Sequence, residues 1–269
     1  MPHFGFDGHR IAFEQRGRRR GATERLIVLI HGLLFARTHH YYLADALAER
    51  GNRVLLIDLL GHGESDRPRH SRFHSMEAYG RQVIALLDHL DIPEAVVGGT
   101  SLGANATLEA VNHAPDRVRA MFIEMPVLER AAPAAGTVFL PLTIAFAQFS
   151  AILEPASALM GRFPRGLLGL YPDVFLDLLA QDPVPSAAIL HGLLVGRIAP
   201  HPDDREKMEQ PTLIIGHQRD LLHPFSDAEA LHRELRNSEL IQARSFFELR
   251  FAPNRLSDRV ADFLDEVWE

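Results

Sequence analysis

Ser101 is the residue best placed to do chemistry. It sits at the centre of Gly99-Thr100-Ser101-Leu102-Gly103, which follows the apolar run Ala95-Val96-Val97 and opens onto the helix-like Ala104-Asn105-Ala106-Thr107-Leu108-Glu109-Ala110. A strand, a sharp turn and a helix in that order hold a serine hydroxyl above a sheet, and the flanking glycines avoid collisions with neighbouring backbone. The free N–H groups at the start of the helix then face any negative charge that develops nearby. With Gly and Ser each near 7% of ordinary sequence, the bare pentapeptide arises by chance in roughly one chain in ten of this length. Its position between strand and helix therefore carries the weight.

The elements that must hold such a serine are legible on both sides of it. Apolar, β-branched runs alternate with amphipathic stretches, which predicts a largely parallel sheet covered by helices. Strands are expected at Arg10 to Glu14, Leu26 to Ile30, Val54 to Ile57, Ala95 to Val97, Val118 to Ile123, Thr212 to Ile215 and Leu240 to Gln242. Helices are expected near Tyr41 to Arg50, Met76 to Leu90, Asp227 to Leu235 and Leu256 to Trp268. From about Pro126 to Met208 the strand rhythm gives way to Ala-, Leu- and Phe-rich helical segments broken by prolines, which reads as an inserted helical cap over 126–208 on a core of 1–125 and 209–269.

Composition narrows the function classes. The 269 residues carry a net charge of −7 and are 46% apolar, enough for a sizeable core and no electrostatic invitation to nucleic acid or an anionic membrane. Arg16-Gly17-Arg18-Arg19-Arg20 is too short to change that and is expected as an exposed turn. The chain has no cysteine, which excludes disulfides and thiolate metal sites and fits a reducing, cytoplasmic setting. No apolar segment follows the N-terminal charges, so no signal peptide is expected. Gly136 to Leu153 is uncharged and apolar, but Pro141, Thr143, Gln148 and Ser150 interrupt it, and it reads as a buried or lid helix rather than a membrane span. Neither a cofactor nor a metal site is expected, because His39, His40, His70 and His74 are not spaced to bring three ligands together. Nothing in the sequence specifies an oligomeric state.

Four motifs in order resemble the α/β-hydrolase family: His31-Gly32 after a strand, Asp58-Leu59-Leu60-Gly61-His62-Gly63-Glu64-Ser65 after the next, the Ser101 turn, and Pro211-Thr212-Leu213-Ile214-Ile215-Gly216 leading to Asp220. They span nearly the whole chain outside the inserted segment. The resemblance implies an eight-stranded, mostly parallel sheet with a cap between the sixth and seventh strands, a nucleophilic Ser101, and an acid at Asp220. Glu124, at the end of the sixth strand, is the other place from which the family can supply that acid. Physically, Ser101 would attack a carbonyl carbon while the N–H groups of Leu33 and Leu102 hold the oxyanion, each such donor contributing about 3 kcal/mol to the transition state. His31 and His62 belong to loop motifs and read as structural.

The base is the departure from the pattern. Family members carry a histidine after the eighth strand, whereas here Ala243-Arg244-Ser245 puts Ser245 at that position and no histidine follows His232. A hydroxyl cannot act as the general base. Two other residues are candidates for that role. One is His223, three residues beyond Asp220, and the other is Glu248, whose neighbour Arg250 suggests an ion pair instead. The functional readings are accordingly a serine hydrolase acting on a medium-sized apolar ester, lactone or thioester, a ligand-binding relative without hydrolysis, or a lyase or acyltransferase on the same scaffold. Val138, Phe139, Leu140, Phe146, Phe149, Phe163, Leu167, Leu168, Phe175, Leu178 and Leu179 in the inserted segment are expected partly as core and partly as the wall of a pocket for a hydrophobic small molecule.

Overall fold

Runs of fully buried β-branched and aliphatic residues build the centre of the molecule. The computed structural model describes residues 1–17, 25–164, 170–218, 220–245, 247–251 and 253–269. Arg18 to Arg20 of the expected turn, Leu167, Leu168 and Phe246 lie outside the described residues. The strands are β1 (His3–Phe6), β2 (His9–Arg16), β3 (Leu26–Ile30), β4 (Arg53–Ile57), β5 (Ala95–Thr100), β6 (Val118–Glu124), β7 (Thr212–His217) and β8 (Ser238–Ala243). They form one eight-stranded sheet in the order β1-β2-β4-β3-β5-β6-β7-β8. β2 runs antiparallel to both of its neighbours, and every other pairing is parallel.

Every residue of β3, β4 and β5 is buried, as expected for strands covered on both faces. Val28 and Ile30 join one core with residues of α2 (Met76–His89), α3 (Leu102–His113) and α9 (Phe225–Glu234), and Ile27 and Leu29 join the opposite core with α1 (Tyr41–Glu49) and α10 (Arg255–Trp268). Caps fix where helices start. The Ser75 hydroxyl accepts from the Ala78 N–H at 3.1 Å, and Asn254 and Ser257 form a reciprocal capping box at α10.

Sequence reasoning missed β1. Asp7 and Gly8 adopt φ of 48° and 79° between Phe6 and His9, a two-residue turn that folds β1 onto β2. Asp-Gly is the strongest short-range hairpin signal, and the partly exposed four-residue strand beside it was too short for a periodicity to register.

Helices α4 (Ala132–Gln148), α5 (Ser150–Gly161), α6 (Leu170–Leu179), α7 (Pro183–Val195) and the short α8 (Pro202–Arg205) lie between β6 and β7. The segment Gly136 to Leu153, expected as a buried or lid helix, is not one helix: it divides into α4 and α5, bent by 96°, and only Ala135 of α4 is buried. Val138, Leu140, Phe149, Phe163, Phe175 and Leu179 are exposed rather than core. The reason is geometric, since α4 is apolar all round but a helix in a single outer layer can cover only one face, here against α7. Among the described residues no single helix is long and apolar enough to cross a membrane.

The buried imidazoles make stability depend on pH. Burial pushes His31, His39, His40 and His62 below their ordinary value, and for His40 burial together with the Arg250 charge brings it down to about 4. Below about pH 6.5 the unfolded chain takes up protons that the folded chain refuses, so the fold keeps its full stability above that value and loses it as pH falls towards the folded values. His40 alone accounts for about 3 kcal/mol of that loss. The denaturant midpoint is therefore expected to fall steeply between about pH 6.5 and 4; a midpoint that stays flat across that window contradicts the neutral, buried rings.

Candidate active site

The C-terminal ends of the central strands converge where open parallel sheets collect ligands. Thr100 at the end of β5 pairs with Glu124 at the end of β6, and Glu124 with Ile215 of β7. Ser101 turns the chain from β5 into α3 with φ 55° and ψ −108°, a left-handed conformation for a residue with a side chain. Such a backbone costs about 1–3 kcal/mol and persists only when its surroundings enforce it. Here the Ser101 N–H donates to the Glu124 carbonyl at 2.9 Å, and the Asn105 N–H returns to the Ser101 carbonyl at 3.0 Å. A Cβ at Gly99 or Gly103 would lie 2.3 or 2.1 Å from the Ile30 carbonyl oxygen, so both glycines are needed for the turn to sit against β3.

The loop after β7 brings the two groups that spacing alone left uncertain. Oδ1 of Asp220 accepts from the N–H groups of Leu222 and His223 at 2.9 and 3.1 Å, which curls the loop into an Asx-type turn. That curl swings the His223 ring back, so its Nδ1 donates to Oδ2 of the same carboxylate at 2.9 Å. Nε2, left with its lone pair, accepts from the Ser101 hydroxyl at 2.9 Å. Asp220 and His223 are three residues apart, and it is the carboxylate's second oxygen that makes this short spacing workable. Burial raises the Asp220 carboxyl, but the hydrogen bond and charge of His223 and the two N–H donors outweigh it and hold the group below its ordinary range. The His223 and Asp220 side chains remain 17% and 22% exposed.

Pro224 follows, and α9 begins at Phe225. The α9 carboxylate of Asp227 accepts from the N–H groups of Leu128, Ala131 and Arg130 at 2.8, 3.0 and 3.3 Å. The segment that carries the imidazole is thereby tied to the chain entering α4.

A cavity of about 270 Å³ opens over Ser101, lined by Leu33, Leu102, Val127, Phe139, Leu190 and Leu194 among others. Among the described residues that line it, Ser101 and His223 supply the only polar side chains. Leu33 and Leu102, the expected oxyanion donors, both border it beside Ser101. The loop bearing Leu33 is shaped by a turn in which the Phe35 N–H donates to the Gly32 carbonyl at 3.1 Å and Leu34 takes φ 62°.

Other sequence candidates lie elsewhere. Ser245 is exposed, at a bend beyond β8. Glu248 accepts from the Arg244 N–H and binds Arg255 at 3.0 Å, so the expected pairing with Arg250 is corrected. Arg250 reaches 2.7 Å from Oε2 of Glu124, while His217 Nε2 lies 3.1 Å from Oε1 and the Thr100 hydroxyl donates to Oε2. Burial would raise the Glu124 carboxyl, but the Arg250 guanidinium, His217 and Thr100 outweigh it and keep the group ionised well below the carboxylate range. Glu124 is thus engaged away from the His223 ring. His31 is buried with Nδ1 against the Gly32 carbonyl and Nε2 accepting from the Leu59 N–H. His39, His40 and His74 are buried as well, and none of these rings lines the cavity.

Sequence reasoning placed Arg250 only beside Glu248 and did not single out His217 or the carboxylate of Asp227. Arg250 and Glu124 are 126 positions apart, and no local pattern links them.

The strand order, the strained serine and the imidazole facing it define a class. Residues 25–183 match the family described as alpha/beta hydrolase fold, and the chain belongs to that family. An uncharacterized protein from Mycobacterium tuberculosis (strain H37Rv) is 26% identical over 291 residues, covering 96% of this chain and 79% of its own length. Among solved structures, the enol-lactonase from Burkholderia xenovorans LB400 is 18% identical with a TM-score of 0.74, covering 99% of both chains. A thermophilic esterase from Thermogutta terrifontis is 21% identical with a TM-score of 0.75, covering 99% of this chain and 97% of that one. At such identities these two likenesses are likenesses of fold.

Proposed function

We propose that the protein is a serine hydrolase acting on a medium-sized apolar ester, lactone or thioester, with Ser101 as nucleophile, His223 as general base and Asp220 as the acid that orients it. The observation that carries the reading is the chain of two 2.9 Å contacts from Ser101 Oγ to His223 Nε2 and from His223 Nδ1 to Asp220 Oδ2. Both lie within the reach that proton transfer and ring orientation require. In this reading the helices of 126–208 are the cap over a core formed by 1–125 and 209–269.

His223 Nε2 takes the hydroxyl proton as Ser101 Oγ bonds to the carbonyl carbon, and the N–H groups of Leu33 and Leu102 receive the oxyanion. When the tetrahedral species collapses, the bond to the leaving oxygen or sulfur breaks and His223 returns its proton there. Water then attacks the acyl-serine, giving a proton to His223 that passes back to Ser101 Oγ as the acid departs. Asp220 stays ionised and stabilises the imidazolium.

The alternative of a binding protein without hydrolysis is motivated by Ser245 at the usual histidine position, and an imidazole within reach of Ser101 speaks against it. An ester, lactone and thioester panel with product identification tests the proposal. Hydrolysis is expected for at least one apolar member and is expected to fall by about 10⁴-fold or more in Ser101→Ala. Ligand binding without product, or turnover unchanged in Ser101→Ala, would overturn it.

A further inference from the structure

The loop that carries His223 is bonded to itself and thinly packed. The N–H groups of Leu222 and His223 and the His223 ring all go to Asp220, while Leu221 is 88% exposed. Where the ring stands relative to Ser101 is therefore set by what anchors the chain on either side of the loop. Upstream lies β7, paired with β6 and β8. Downstream, directly after Pro224, lies the first turn of α9.

That turn is held by groups from elsewhere in the chain. Asp227 is its third residue, the position from which an acid can reach back to cap its own helix. Its carboxylate, in a side chain that is almost wholly buried, instead accepts from the N–H groups of Leu128, Ala131 and Arg130. The Arg130 guanidinium donates to the Ser226 carbonyl at 2.7 Å. A Cβ on Gly216 would lie 2.6 Å from the Phe225 ring, so the turn also sits directly on β7. The Asp227 N–H closes on the Pro224 carbonyl at 2.8 Å, which joins the anchored carboxylate to the base through one short, proline-fixed stretch.

The anchor itself leads back to the nucleophile. Asn105, fully buried in the first turns of α3, donates to the Val127 and Ile198 carbonyls at 2.6 Å each and accepts from the Val127 N–H at 3.1 Å. Its own N–H donates to the Ser101 carbonyl at 3.0 Å. A continuous circuit thus runs from Ser101 through Asn105, Val127, Leu128 and Asp227 to Pro224 and His223. It links nucleophile and base independently of the contact between their side chains.

We infer that Asp227 is a positioning residue for the base, holding His223 Nε2 opposite Ser101 Oγ by tying the start of α9 to the segment that Asn105 fixes beside the nucleophile. The inference rests on the serine-hydrolase reading and adds what keeps the base in place. A misplacement of about 1 Å costs about a hundredfold in rate, so a lost anchor shows in kcat.

Graded substitution and kinetics test it. A carboxylate can accept all three N–H groups, whereas an amide offers one acceptor oxygen and sets its own N–H against the third. At a temperature where every variant is fully folded, Asp227→Asn is expected to lower kcat about threefold or more and Asp227→Ala about tenfold or more. KM is expected to stay within about twofold of wild type, because Asn105 still holds Val127 in the cavity wall. A loss confined to Tm, or a raised KM at unchanged kcat, overturns the inference. Nitrogen NMR of the His223 ring supplies an arm that needs no turnover. Removing the hydroxyl with Ser101→Ala is expected to move the Nε2 resonance when Asp227 is present and to leave it in place in Asp227→Ala. An equal movement in both backgrounds overturns the positioning role alone. No movement even with Asp227 present overturns the contact between Ser101 and His223, and the inference with it.

Discussion

Replacing His223 with alanine is expected to lower kcat on every accepted substrate by about 10⁴-fold or more, with little change in KM. The hydroxyl of Ser101 is a poor nucleophile unless its proton has somewhere to go, and His223 Nε2 stands 2.9 Å away. In the proposed mechanism Ser101 and His223 act as one unit, so the double variant Ser101→Ala/His223→Ala should be no slower than either single one. The experiment also speaks to the position after β8. Placing a histidine at 245 in the His223→Ala background is not expected to restore activity, because position 245 is exposed at a bend.

The second large effect concerns the acid. Asp220→Asn is expected to lower kcat by about 10³- to 10⁴-fold, since the amide neither stabilises the imidazolium nor fixes Nδ1 as the protonated nitrogen. Asp220→Ala should do the same and also loosen the loop, because Oδ1 holds the N–H groups of Leu222 and His223. Glu124→Gln should behave in the opposite way. Glu124 neutralises a buried Arg250 at 2.7 Å, and breaking a buried pair on one side costs about 3–5 kcal/mol. A pronounced drop in Tm with turnover per folded molecule within a few-fold of wild type is therefore expected for Glu124→Gln. The reverse pattern, with Asp220→Asn active and Glu124→Gln folded but dead, would exchange the two roles.

What the sequence made readable tracks the range of the interactions concerned. β3 and the strands beside it could be read because burial on both faces leaves continuous aliphatic runs, and the Ser101 turn because its two glycines touch β3 through the backbone. β1 escaped because four partly exposed residues carry little pattern beyond the Asp7-Gly8 turn. The apolar residues of α4 and α5 are expected partly as core and partly as pocket wall, yet hydrophobicity reports a preference, and only the arrangement of the helices decides which face finds a partner. His223 is legible in the sequence as a candidate base, but the geometry that supports the role is not. Its fit depends on Asp220 bonding the backbone with one oxygen and the ring with the other, a three-dimensional arrangement that spacing does not encode. The Arg250–Glu124 pair joins the segment after β8 to β6 and was beyond any local reading.

The most direct test is the rate at which a fluorophosphonate labels Ser101, followed by intact mass and peptide mapping in the wild type and in His223→Gln. One label on Ser101 in the wild type, formed at least a hundredfold more slowly in His223→Gln while the fold's Tm is retained, is the expected result. Labelling of Ser101 at the same rate in both proteins, or no labelling of Ser101 in the wild type, would contradict His223 as the base that activates it.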